Sequence, residues 1–192
     1  LINYSVGKKR FEKKPDEGDL DLLDQIEMKR IPYWYPTDQM PEGYNTEQPK
    51  KSHGVTHVHQ FYTLRNLWVL ATLYDRIKQS SLCQQMLCMI GDLLPRASKM
   101  HKIAISRLNT NLSKTAGVLS GTLYVPSNSI EYSVLETFAY RYEDVINYQS
   151  RVHFKVPTLV SVNSSSANPI PSDCVDYIFT DPPFGGNLMY SE

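Results

Sequence analysis

Val175-Asp176-Tyr177-Ile178-Phe179-Thr180-Asp181-Pro182-Pro183-Phe184 is the stretch that decides how the chain is read. Val175 to Thr180 is rich in β-branched and aromatic residues, the composition of a strand buried on both faces in a parallel sheet. Two prolines follow at once. Each lacks an N–H donor and fixes its own φ, so the strand is expected to stop at Asp181 and turn rigidly. In an open α/β sheet, ligands sit beyond the carboxyl ends of the strands, where this turn falls.

The turn offers specific chemistry. The Asp181 carboxylate and the Pro182 carbonyl are both acceptors, suited to the two hydrogens of an exocyclic NH2 group. Holding that amine out of plane with its ring localises the nitrogen lone pair and prepares it to attack an electrophilic methyl. The Phe184 ring can stack on a flat heteroaromatic base. A neutral amine needs little help from a strong base, so geometry carries most of the catalysis.

Asp181-Pro182-Pro183-Phe184 after an apolar run resembles the catalytic motif of the amino-group DNA methyltransferases, which act on adenine N6 or cytosine N4. A longer match, over Ile31 to Asp38, Gly54 to His57, Phe61 to Leu67 and Asp176 to Gly185, resembles a bacterial branch of adenine-specific DNA methylases. The resemblance implies S-adenosylmethionine as cofactor and DNA as partner. It also implies roles for Asp181 and Pro182 as amine acceptors and for Phe184 as the residue that stacks on a flipped base. Aspartate at the motif's first position leans toward adenine N6 by association with the family. Phe61 and Thr63, with Arg65, resemble the family segment that helps hold the methionine end of the cofactor. Asn163 and Ser164 stand in the loop that touches its adenosine half, where relatives commonly carry an acidic residue. Rival readings are an RNA guanine-N2 methyltransferase and a noncatalytic nucleic-acid-binding or specificity module.

The implied fold class is α/β: a partial Rossmann-like methyltransferase sheet with covering helices and an inserted, mainly helical region. Residues 1–60 form an N-terminal helix and an aromatic, proline-rich segment. Residues 61–118 form a helical region with a basic segment, and 119–192 a partial α/β core ending at the Asp-Pro-Pro-Phe motif. No glycine-rich strand–turn of the kind that approaches S-adenosylmethionine is present. Leu1 opens without Met, and the chain ends soon after Phe184. The expectation is an internal or truncated piece, whose activity needs the remainder of the methyltransferase domain or a restriction subunit.

The 192 residues are 41% hydrophobic and 21% charged, ordinary for a globular protein. No apolar run approaches membrane-spanning length and no signal segment opens the chain, so the expected location is cytoplasmic. Cys83, Cys88 and Cys174 have neither disulfide-framework nor zinc spacing and read as buried thiols. Zero formal net charge conceals an uneven distribution. No acidic residue lies between Asp92 and Glu131, whereas Arg96, Lys99, Lys102, Arg107 and Lys114 do, a set able to neutralise phosphates. An ordinary solvated face is the alternative. Lys8, Lys9, Arg10, Lys13 and Lys14 form a second basic run, facing solvent or phosphate. His53, His57 and His59 lack nearby acidic or thiol ligands and are expected to be packed or surface histidines rather than a metal site.

Four helices are expected. The first spans 16–30, with acidic residues first and Lys29 and Arg30 last, Leu20 and Leu23 buried, and Pro32 as its stop. The next, over 61–79, is capped by Thr63 and buries Leu67, Leu70, Ala71, Tyr74 and Ile77. A third covers 81–94 before Pro95. The last, over 129–147, opens on an Asn128/Glu131 capping pair and buries Leu135, Phe138, Ala139, Tyr142 and Ile146. Ile31 to Pro36 should be an extended aromatic clamp, and residues 40–54 a loop. Strands are expected over 119–125 and 156–162.

Overall fold

A computed structural model describes residues 1–107, 115–151 and 170–181, with side chains described to 147 in the second span. Among these residues the chain is mixed α/β, with five α-helices and two small antiparallel sheets. No parallel pair is among the described strands.

The fold is built on α3 (Leu64–Lys78), the helix with the strongest sequence signal. Thr63 caps it, its hydroxyl accepting from the Asn66 N–H at 3.2 Å. One face of α3 packs Leu67 and Ala71 against Ile31, with Tyr33, Tyr35 and Trp68 around them. The expected aromatic clamp is therefore laid along this helix. An adjacent face packs Leu70 against Ala97 and Val134. A third cluster joins Phe61 to Met40, Val55 and Val125. Tyr62 borders all three clusters, and burial pushes its hydroxyl pKa up to about 12.

Before this core lies a hairpin of β1 (Ile2–Val6) and β2 (Lys9–Lys13), followed by α1 (Glu17–Glu27). Asp16 and Asp19 form a reciprocal capping box at the start of α1. The helix ends before Lys29 and Arg30, and it buries no residue; Leu20 and Leu23 are exposed. Three leucines among five acidic residues are too narrow a stripe to bind it tightly to the body.

The expected loop at 40–54 contains α2 (Tyr44–His53). Its polar composition gives no helical periodicity, so contacts outside the helix hold it. The Thr46 hydroxyl is fully buried and lies 2.9 and 3.0 Å from the Pro41 and Gly43 carbonyls as donor. Gly54, at φ +66°, closes the helix in the left-handed cap. Gln48 pairs with the backbone of Val125, donating to its carbonyl at 2.9 Å and accepting from its N–H at 3.0 Å. That pairing corrects the expected strand at 119–125. A side-chain amide, not a neighbouring strand, satisfies Val125, and residues 119–125 form a turn and irregular backbone.

The third expected helix begins and ends slightly later, as α4 (Cys83–Ala97). It runs through Pro95 because the only helical bond lost there belongs to exposed Gly91. Ser98 then closes the end, its hydroxyl donating to the Pro95 carbonyl at 2.7 Å. Beyond it, β3 (Lys102–Ile103) pairs through a bulge with β4 (Thr115–Gly117). The last helix, α5 (Val134–Arg151), starts later than expected. Ser133 caps it, accepting from Glu136 N–H at 3.3 Å, and Glu131 is engaged elsewhere. Its inward face runs through Val134, Phe138 and Arg141 rather than Leu135 and Tyr142, which are exposed. Arg141 reaches Asp92 on α4 at 2.8 Å, which fixes that rotation.

The clearest departure is Val175 to Thr180, which is neither strand nor buried; Tyr177, Ile178 and Phe179 are 80%, 74% and 80% exposed. A doubly buried strand needs hydrogen-bonding neighbours and two covering layers, and no described element supplies either. The expected strand at 156–162 lies outside the described residues. No helix among the described residues is long and apolar enough to cross a membrane. All three cysteines are free; Cys88 and Cys174 are exposed and Cys83 half-buried, so none is the core thiol expected.

Asn66, 3% exposed, donates to the Ala97 carbonyl at 3.0 Å and the Tyr132 carbonyl at 3.2 Å. Asn66→Ala leaves both carbonyls without this donor, and urea unfolding should show a loss of about 2 kcal/mol, against under about 0.5 kcal/mol for exposed Gln79→Ala.

Candidate functional site

Asp181 is exposed, at the end of the uncovered 175–180 segment. Pro182 and Phe184 lie outside the described residues, as do Asn163, Ser164 and Lys114. The rest of the expected site gathers where α3 begins and α4 ends.

Phe61 is 5% exposed, and its ring is taken up by the core cluster with Met40, Val55 and Val125. Thr63 accepts from the α3 backbone and donates to Glu131 at 2.7 Å. Arg65 joins the same carboxylate at 3.0 Å. Glu131 thus collects one hydroxyl and one guanidinium, fastening the segment before α5 to the opening turn of α3. Sequence reading assigned Glu131 to a helix cap; nothing in the spacing links it to residues 63 and 65.

The described basic residues differ in exposure and engagement. Arg96 and Arg107 are exposed, and Lys102 is half-buried within β3. Lys99 is structural: its Nζ donates to the Gln60 carbonyl at 2.9 Å, and its backbone N–H to the Phe61 carbonyl at 2.7 Å. Burial holds the Lys99 ammonium below the usual lysine range, with the Glu131 carboxylate partly opposing that shift. A lysine so placed fixes the 60–61 backbone against the end of α4 and has little left for a phosphate.

The sequence also gave no sign of the cavity between α4, β4 and α5, whose volume is about 480 Å³. Asp92, Arg96, His101, Thr115, Tyr132 and Thr137 contribute to its wall. His101 is 6% exposed, packs 4.9 Å from the Tyr132 ring, and meets the Thr115 hydroxyl through Nε2. Burial pushes its pKa below the ordinary 6.5, the Arg96 backbone pulls it up, and the Arg96 charge lowers it further. His59 is shifted in the same direction, first by burial and then by His57, whose ring lies 5.8 Å away. His59 also meets Tyr35 edge-on at 5.7 Å. Among the described residues, no group of three or more His, Cys, Asp or Glu is arranged to hold a metal ion.

No protein-family model matches the chain, and no curated protein or solved structure is significantly similar to it. The functional reading therefore rests on the residues themselves.

The two depressed histidines set a pH dependence. The unfolded chain takes up protons near 6.5 while the folded chain resists them, so stability is fully present above 6.5 and falls as pH drops through the lower folded values. Urea midpoints should decline between pH 7.5 and pH 5, and His101→Gln should flatten part of that decline, leaving the His59 share.

Proposed function

We propose that this chain carries the target-amine corner of an S-adenosylmethionine-dependent DNA methyltransferase, acting on adenine N6 in the cytoplasm. The observation that carries the reading is Asp181 at the end of an apolar run and directly ahead of Pro182-Pro183-Phe184. The uncovered side chains of Tyr177, Ile178 and Phe179 support it. Apolar surface of that extent calls for cover, which a Rossmann-like parallel sheet would supply when 175–180 joins it as a central strand. The remainder of a methyltransferase domain, or a restriction subunit, is the partner of that kind.

In this reading Asp181 accepts one hydrogen of the N6 amino group and the Pro182 carbonyl the other. The amine is drawn out of conjugation with the ring, so its lone pair points at the incoming carbon. Phe184 holds the flipped base flat. The donor supplies a methyl group on a sulfonium, and transfer leaves a neutral thioether. The nitrogen loses a proton to solvent or to Asp181 once the new N–C bond has formed. Asp181 is exposed, so water competes for its carboxylate; closing the base over it would remove that competition.

Asp181→Ala removes an acceptor that matters most as the nitrogen becomes positive. Labelled-methyl transfer to adenine-containing duplex, assayed with the complete enzyme, should fall at least about 100-fold, with duplex affinity changed less than about 2-fold. Transfer at the wild-type rate would overturn the mechanism.

A further inference from the structure

The β1–β2 hairpin has no part in the amine-holding corner, and nearly all of its residues are exposed. It turns through Gly7 and Lys8, with Gly7 at φ +61°, the glycine-first turn that matches strand twist. Its register pairs Ile2 with Lys13, Tyr4 with Phe11, and Val6 with Lys9. Cross-strand partners share a face, so Ile2, Tyr4, Val6, Lys9, Phe11 and Lys13 all project to one side.

That face is organised. The Tyr4 and Phe11 rings stack at 5.4 Å between centroids with planes 23° apart, and they remain 43% and 42% exposed. Lys13 is held at the base by Asp16 at 2.7 Å and Asp19 at 2.8 Å, which ties the hairpin to the start of α1. Lys8, Lys9 and Arg10 crowd the turn, and among the described residues none is tied into an ion pair. Glu12, the sole acidic residue of the hairpin, pairs with Asn3 on the opposite face.

We infer that the hairpin is a nucleic-acid docking arm, with phosphates along Lys8, Lys9 and Arg10 and a base or sugar against the Tyr4–Phe11 pair. Charge selects the occupant: Lys9 on the aromatic face and Lys8 in the turn, with Arg10 beside the turn on the opposite face, match a polyanion with flat, stackable groups. Three exposed apolar side chains are too few to seat the arm in a lipid surface, which needs a broad apolar face. The arm lies on a different element from the Arg96–Arg107 segment and replaces Lys99, which is engaged in the body, as the main source of phosphate contacts. The inference rests on the methyltransferase reading only in naming DNA as the polyanion.

The test is fluorescence anisotropy of the whole chain with labelled duplex and single-stranded DNA over a salt series, with phosphatidylserine vesicles as a separate arm. The combined variant Lys8→Glu, Lys9→Glu, Arg10→Glu should weaken binding at least about 10-fold and reduce the log–log salt slope by about 2 to 3. Tyr4→Ala with Phe11→Ala should weaken single-strand binding about 10-fold and duplex binding less, if a base stacks there. Tyr4→Phe, which keeps the ring pair, should bind as the wild type does. Unchanged affinity and slope in the charge-reversal variant would overturn the inference, as would binding to vesicles but not to DNA. The methyltransferase reading fails separately: arm-dependent DNA binding by a complete enzyme that transfers no methyl group sinks that reading and leaves the arm standing. Transfer that depends on Asp181, with binding indifferent to the arm, does the reverse.

Discussion

The Asn66 carboxamide ties together three parts of the chain, α3, the end of α4 and the approach to α5. It sits one turn into α3 and gives its two hydrogens to Ala97, at the end of α4, and to Tyr132, just before α5. The bond to Ala97 is buried and the bond to Tyr132 part-buried, where an unmet carbonyl is costly and a met one fixes position. The meeting of α3, α4 and α5 is thereby set at a point, and Leu70, Ala97 and Val134 fill the space around it. Thr63 and Arg65 add a second tie through Glu131, more exposed and correspondingly weaker.

This arrangement explains why Lys99 is engaged inside the body while Arg96 and Arg107 are exposed. The basic segment follows α4 into a region where the chain must be closed against the 60–61 backbone, and Lys99 is drawn in to make that closure. A cation inside a junction serves the junction. Lys8, Lys9 and Arg10, by contrast, are exposed at the N-terminal hairpin turn and make no ion pair among the described residues. In the proposed reading, recognition of a polyanion and the gripping of an amine fall to different elements, so either could be altered without the other.

Several differences from the sequence reading share one cause. Residues 40–54 look like a loop because prolines, lysines and amides show no apolar period, yet Thr46 and Gln48 find backbone partners and α2 forms. Residues 119–125 look like a strand because they alternate, yet Val125 bonds to Gln48 and not to a neighbouring strand. The start of α5 follows the same pattern. Asn128 and Glu131 have cap spacing, but Arg65 and Thr63 take Glu131, and Ser133 caps the helix in its place. For Gln48 and Glu131, a partner distant in sequence took the place of a local one.

From the sequence alone, α3 with its Thr63 cap, the aromatic clamp of Ile31 to Pro36, the Asp16 start of α1 and the existence of α4 could be read. All of them depend on local periodicity, proline placement and capping chemistry, which are properties of neighbouring residues. Tertiary structure alone decided that Phe61 belongs to the core, that Lys99 is a tie, that His101 walls a cavity, and that Tyr4 stacks on Phe11 across a hairpin. Those outcomes depend on which distant groups compete for a donor or a surface, and residue spacing carries no information about that competition.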